Sequence, residues 1–248
     1  LVLTDFILLH RKSNYAGIGI GLAAAIKLTP LLFIVYLVTT RRWRPSATAT
    51  ATTAAATLLG AIALPSESWR YFTDLMFNVE SISNAARSPN QSIGAFLARV
   101  AGDTTPPTLP WLVLVVPVAA FGLWRAYHAY RQGADLAGFT IVGLTTALVS
   151  PISWTHHLVW VIPALVVLVS AAVESTGIRR YLWGTTALGM FALFASRITM
   201  RYGDLASPTQ LNRVGVLVIV DAYLIAILLL VALLPFPRDK KSETLVPS

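Results

Sequence analysis

Cysteine is absent from these 248 residues, so neither disulfides nor thiolate metal sites are available. Charge is nearly as scarce. Asp, Glu, Lys and Arg make up 12% of the chain and hydrophobic residues 56%, whereas a soluble domain carries roughly 25% charged residues. That balance, with a mean hydropathy of +0.68, excludes an ordinary soluble domain and describes an integral membrane protein. There is no HExxH spacing, no P-loop and no GxGxxG, so nucleotide-dependent soluble chemistry has no support and no metal site is expected. No internal repeat is visible. Acids are outnumbered, 11 against 19 basic residues, for a net charge of +8. Much of that excess lies beside apolar runs, where it fixes membrane orientation, so it does not indicate a nucleic-acid partner. A starting Met is also missing. The chain opens at Leu1 inside an apolar run and is expected to be the C-terminal part of a longer protein.

What is present is a series of apolar runs, several reaching the roughly 20 residues of a spanning helix. They cover residues 16–40, 47–64, 110–130, 136–149, 157–173, 181–196 and 214–236, with 1–10 reading as the end of a helix. The expected fold is all-α and polytopic: a transmembrane region over 1–236 and a polar cytoplasmic tail over 237–248. Alternate loops are short and basic, carrying Arg41, Arg42 and Arg44, then Arg125 and Arg131, then Arg179 and Arg180, then Arg238, Lys240 and Lys241. By the positive-inside rule these are cytoplasmic. The intervening loops 66–108, 150–157 and 197–213 then face outward, although Arg197, Arg201 and Arg213 fit that side poorly.

Two stretches depart from simple spans. Residues 16–40 contain Gly17, Gly19, Gly21, Lys27 and Pro30, and basic pairs flank both ends. Either the run is two half-length helices that enter and leave on the cytoplasmic side, or it is one kinked span with Arg11 and Lys12 outside. The outward segment 66–108 holds Trp69, Phe72, Met76 and Val79 at helical spacing, an amphipathic pattern suited to the outer interface. Ser88-Pro-Asn-Gln91 then has the order of a capping box with Pro at the first helical position, and predicts a second short helix running through Arg99.

Polar groups beside or within spans are functional candidates, because each costs free energy unless partnered. Lys27 either snorkels from the end of a half-helix or serves a site. Asp221, about two turns into the last run, is either a structural ion pair or a working carboxylate. Asn90, Gln91 and Arg99 form a third group on the outward segment. His156 and His157 follow Ser150-Pro-Ile-Ser-Trp-Thr, where Pro151 ends a helix and Trp154 suits the headgroup level. The two imidazoles either merely cap a helix or form the polar floor of an outward-facing site. Neutral imidazole hydrogen-bonds phosphate or sugar, and protonated imidazole adds charge.

Three stretches in order, Gly19-Ile-Gly-Leu-Ala-Ala-Ala-Ile-Lys-Leu-Thr-Pro30, Asn90-Gln-Ser92 and Ser150-Pro-Ile-Ser-Trp-Thr-His-His157, resemble glycosyltransferase family 87. The resemblance runs over about residues 1–236. It implies a GT-C-type membrane fold in the bacterial plasma membrane, within an actinobacterial envelope. It also implies mannosyl transfer from a polyprenyl-phosphate-mannose donor to a glycolipid or glycan acceptor. No cofactor is implied. Inversion at the anomeric carbon requires a carboxylate to deprotonate the acceptor hydroxyl. In this family that Asp lies upstream of Leu1, and no Asp here matches it, so this fragment is expected to be inactive alone. His156 and His157 are the expected catalytic groups, stabilising charge on the departing phosphate. Lys27, Asn90, Gln91 and Arg99 are the expected substrate-binding residues. A transporter or lipid flippase using Lys27, Asp221 and the histidines as a polar pathway is the rival reading, and a non-catalytic assembly subunit a third.

Overall fold

A computed structural model describes residues 1–75, 84–203 and 214–238, and among these the regular structure is entirely helical. Helix α1 (Val2–His10) leads to α2 (Ile18–Ile26), α3 (Leu31–Thr39) and the long α4 (Trp43–Ala63). The segment beyond holds α5 (Pro65–Arg70), continued as a π turn over Tyr71–Leu75, and α6 (Ile93–Ala101). Helices α7 (Thr108–Arg131) and α8 (Asp135–Val149) follow, then a 3₁₀ turn over Thr155–Trp160 that enters α9 (Val161–Glu174). The chain continues through α10 (Gly177–Ser196), α11 (Ile198–Gly203), α12 (Val214–Val220) and α13 (Ala222–Leu233). Among the described residues three helices, α4, α7 and Thr155–Glu174, are long and apolar enough to cross a membrane.

Helix α8 is the axis of the bundle. Its sequence is apolar all round, which suits a helix enclosed on every side, and every residue from Ala137 to Leu148 is buried. Helices α7, α9, α13 and α3 pack around it. Trp160 lies against Gly143 so closely that any Cβ there would overlap the indole ring. The outer faces of α4, α7 and α9 show Leu58, Leu59, Val113, Val116, Phe121, Ile162 and Val166 to the exterior. A belt of this kind is what hydrocarbon would cover.

The two ends of the bundle differ. At one, Asp135 opens α8 and receives Arg42 in an ion pair, Tyr36 through its hydroxyl at 3.1 Å, and His10 at 3.7 Å. The C-terminal end of α13 closes at the same level, where Arg125 Nη2 donates to Leu234 O at 2.7 Å. At the other end lie residues 150–157, Asn90, Gln91 and Asp221.

Residues 16–40 form a hairpin between these levels. Gly17, at a φ of +107°, packs against Pro45 and Ala49 near the Asp135 end, and a side chain there would collide with the Pro45 carbonyl. Helix α2 climbs alongside α4, with Thr53 Oγ1 donating to Gly21 O at 3.1 Å. The helix stops at Lys27, which is extended (φ −146°, ψ 130°). Pro30 disfavours helical backbone at the residue before it, and it begins α3, which descends until Tyr36 reaches Asp135. The kinked-span alternative is therefore overturned: residues 12 and 42 lie at the same end.

Other expectations shift. The helix expected from Ser88 begins instead after Ser92, whose Oγ accepts from Ala95 N–H at 3.1 Å. Asn90 and Gln91 are outside it because their side chains are spent on distant partners. The last apolar run is divided at Asp221 into α12 and α13. The two histidines sit in the 3₁₀ turn and not on an α-helix. Trp69 and Phe72 lie in the helical stretch after Pro65 and are exposed. Met76, Val79, Arg213, Lys240 and Lys241 lie outside the described residues, as does the tail beyond Arg238.

Candidate functional site

Helix α8 ends where the sequence predicts, because Ser150 precedes a proline and turns extended (φ −62°, ψ 137°). The corner that follows is then stitched to the segment before α6. Asn90 Oδ1 accepts from Ser153 N–H at 2.8 Å, and Asn90 Nδ2 donates to Ala85 O at 3.0 Å and Pro151 O at 3.3 Å. The Gln91 backbone N–H donates to Ser153 O at 2.8 Å, and Ser92 Oγ donates to Pro151 O at 3.1 Å. Asn90, Gln91 and Ser92 are each 0% exposed.

The Gln91 side chain does something the sequence gives no sign of. Its Nε2 donates to Val220 O at 2.8 Å, and its Oε1 accepts from Leu224 N–H at 3.1 Å. Those two backbone groups are four residues apart and would bond each other in an unbroken helix. A side-chain amide inserted into the ladder breaks a helix at that point, and the break falls at Asp221. Arg99 meets it there. Its Nη2 pairs with Asp221 Oδ1, its Nε reaches Oδ2 at 3.3 Å, and its Nη1 donates to Asn90 O at 3.1 Å and Arg87 O at 3.2 Å. Arg99 is 2% exposed and Asp221 1%. The structural alternative stated for Asp221, an ion pair, is thus the arrangement observed.

Lys27 approaches the corner from the hairpin tip. Its Nζ donates to Ile152 O at 3.0 Å and lies 3.4 Å from His157 Nδ1. Trp154 N–H also points at that nitrogen, at 3.1 Å. A backbone N–H can only donate, so Nδ1 is the acceptor and the neutral ring carries its proton on Nε2. His157 is half-buried. His156 is exposed, with its ring 4.3 Å from that of His157, edge to face, and its nitrogens have no hydrogen-bond partner among the described residues.

The six candidates therefore separate into two sets. Lys27, His156 and His157 meet at the mouth of the corner, with N–H groups left to give. Asn90, Gln91 and Arg99 lie behind it with their polar atoms bonded to protein. Sequence reasoning missed two further groups. Ser153 Oγ is buried with no partner among the described residues, and so is Trp111 Nε1, beside the Gly94 that packs on Pro151. Ser153 was visible only as part of its stretch, and Trp111 carried no signal at all. Among the described residues no cluster of His, Asp or Glu could hold a metal ion. None of the hydrogen bonds of residues 150–157 goes to a carboxylate. Unengaged N–H groups and an ammonium with no acid among them suit an anion with several acceptor oxygens.

Comparison with known proteins gives that chemistry a setting. The model of glycosyltransferase family 87 matches residues 1–151. The chain is 37% identical over 153 residues to a polyprenol-phosphate-mannose-dependent alpha-(1-2)-phosphatidylinositol mannoside mannosyltransferase of Mycobacterium tuberculosis, covering 61% of this chain and 36% of that protein. It is 33% identical over 193 residues to the protein of the same name from Mycolicibacterium smegmatis, covering 74% and 43%. A phosphatidylinositol pentamannoside mannosyltransferase of M. smegmatis is 32% identical over 181 residues, covering 72% and 44%. The chain thus spans about two fifths of the length of these relatives. No solved structure matches it.

Proposed function

This chain belongs to glycosyltransferase family 87, and from that membership we propose that it works in a multi-pass mannosyltransferase of the bacterial plasma membrane. The donor is a polyprenyl-phosphate mannose and the acceptor a glycolipid of the phosphatidylinositol mannoside kind, as the relatives' names suggest. The basic end of the bundle faces the cytoplasm and the histidine corner faces outward. One observation carries the reading: Lys27, from the first family stretch, meets His157, from the last, at 3.4 Å.

In the transfer, the bond from the anomeric carbon to the phosphate oxygen breaks and the phosphate keeps the electron pair. The acceptor oxygen forms the new bond, and its proton passes to a carboxylate. As the bond breaks the lipid phosphate gains negative charge. In this reading Lys27, His156 and the Nε2–H of His157 receive that charge, in the manner of an oxyanion hole. Asn90, Gln91 and Arg99, earlier expected to contact substrate, act in this proposal as positioning residues that hold the corner against α12 and α13. The chain's proposed share is the leaving-group half of the reaction, since no carboxylate among the described residues is bonded at the corner. The transporter reading is not favoured. The relatives are named as transferases, and the Asp221 carboxylate that a polar pathway would use is committed to Arg99.

The test compares His156→Ala/His157→Ala with a Trp154→Phe control in a mannosyl-transfer assay of the full-length enzyme at matched expression. The expected result is a turnover loss of about 10²-fold or more, roughly 3 kcal/mol, with the donor KM little changed. Near-normal transfer in the double variant would remove the histidines from the site.

A further inference from the structure

A cavity with a polar lining lies at the opposite end of the bundle, far along the chain's own helices from the histidine corner. Its volume is about 680 Å³, and Lys12, Ser13, Asn14, Arg42, Arg44 and Thr48 supply its polar lining. Three basic side chains therefore border one space. The acid beside them, Asp135, is already engaged by Arg42 and His10. Arg42 stacks over Tyr130 at 4.7 Å and turns one side of its guanidinium to Asp135, yet its Nη1 is buried with no hydrogen-bond partner among the described residues. A buried guanidinium N–H left unpaired costs free energy, which an anionic acceptor would recover only once the lining shifts to expose it. Lys12 and Arg44 are exposed on the rim.

We propose that this cavity binds the phosphate of an anionic phospholipid headgroup. The chemistry is that of a phosphate ester: several acceptor oxygens facing one ammonium, two guanidinium groups and the hydroxyls of Ser13 and Thr48. A lipid is the source that fits the surroundings. Trp43, exposed beside Arg44, is the side chain that settles at the headgroup level, and the outer face of α4 runs on from it through Ala47, Ala51, Ala54 and Ala55 to Leu58 and Leu59. Basic pockets between membrane helices recognise headgroups in this way. The occupant sits at the base of the hairpin whose tip carries Lys27.

The experiment reconstitutes the chain in nanodiscs of phosphatidylcholine doped with phosphatidylinositol, extracts it, and counts retained lipid by native mass spectrometry. Wild type is expected to keep one phosphatidylinositol. Lys12→Gln/Arg44→Gln, both on the exposed rim, is expected to hold it about 30-fold more weakly, each cation near a headgroup being worth roughly a factor of five. Arg179→Gln/Arg180→Gln, a charge-matched control remote from the cavity, is expected to keep it. Equal loss in both variants, or retention in both, would overturn the proposal. A parallel arm adds inorganic phosphate. Thermal stabilisation by phosphate in wild type but not in the rim variant, with no retained lipid, would assign the site to a soluble phosphate and overturn the lipid source.

Discussion

The most exacting arrangement at the scale of single residues is the Arg99–Asp221 pair, which is almost wholly enclosed. Removing one member of a buried pair strands the other charge, at about 3–5 kcal/mol, while replacing both can be close to neutral. Arg99→Leu and Asp221→Leu should therefore each lower the unfolding free energy in detergent by that amount, and the double variant by less than either. Additive losses would mean that the pair is not the contact described here. The two histidines should also behave unequally. His157→Ala takes away the acceptor of Trp154 N–H, a cost of about 1–3 kcal/mol. His156→Ala, exposed and unbonded, should stay within about 0.5 kcal/mol of wild type. Unfolding midpoints measured without substrate make this comparison free of any effect on catalysis. Much of this scale was hidden in the sequence. Asp221 and Arg99 each stood out as polar residues needing a partner, but nothing in the order of residues paired them across 122 positions. The Gln91 bridge to Val220 and Leu224 was equally silent.

Elements were far more legible, because apolar runs and prolines act locally. The helix ending at Val149 follows from Pro151, and the break at Lys27 from Pro30 and the glycines that precede it. The start of α6 and the break before α13 were misread for one reason. Both are decided by side chains of residues 90–92 reaching distant backbone, and local capping signals cannot report that. Packing between elements gives a sharp contrast. Gly143 faces the Trp160 ring, whereas Gly60 in α4 has open space around it. Gly143→Ala should destabilise by about 1–3 kcal/mol through overpacking. Gly60→Ala should be neutral or stabilise by up to roughly 1 kcal/mol through helix propensity. Thermal unfolding of the two variants side by side checks this, and a tolerated alanine at 143 would displace Trp160 from its assigned place.

For the molecule as a whole, the absence of native Cys permits a clean test of how the bundle sits in its membrane. Asn14→Cys and Gln132→Cys, both exposed at the basic end, should be protected from an impermeant thiol reagent added outside. Ser66→Cys, exposed beyond α4, should react. Labelling of residue 14 but not 132 from outside would contradict the hairpin. Ser92 and Ser153 are unsuitable reporters, since both are buried. The alternation of basic loops made the two ends legible before any helix was placed; that the hairpin tip arrives at the histidine corner was not, because it depends on α3 packing down α8. That meeting is the centre of the account, and binding of polyprenyl phosphate tests it most directly. In the proposed transfer the departing phosphate, as a monoester, carries more charge than the donor diester, so groups that act on leaving-group charge should grip it harder. The reconstituted chain should bind polyprenyl phosphate, and Lys27→Met or His156→Ala/His157→Ala should weaken that binding about tenfold or more. Binding of uncharged polyprenol should stay the same in every variant. Equal affinity of wild type and variants for polyprenyl phosphate would contradict the account.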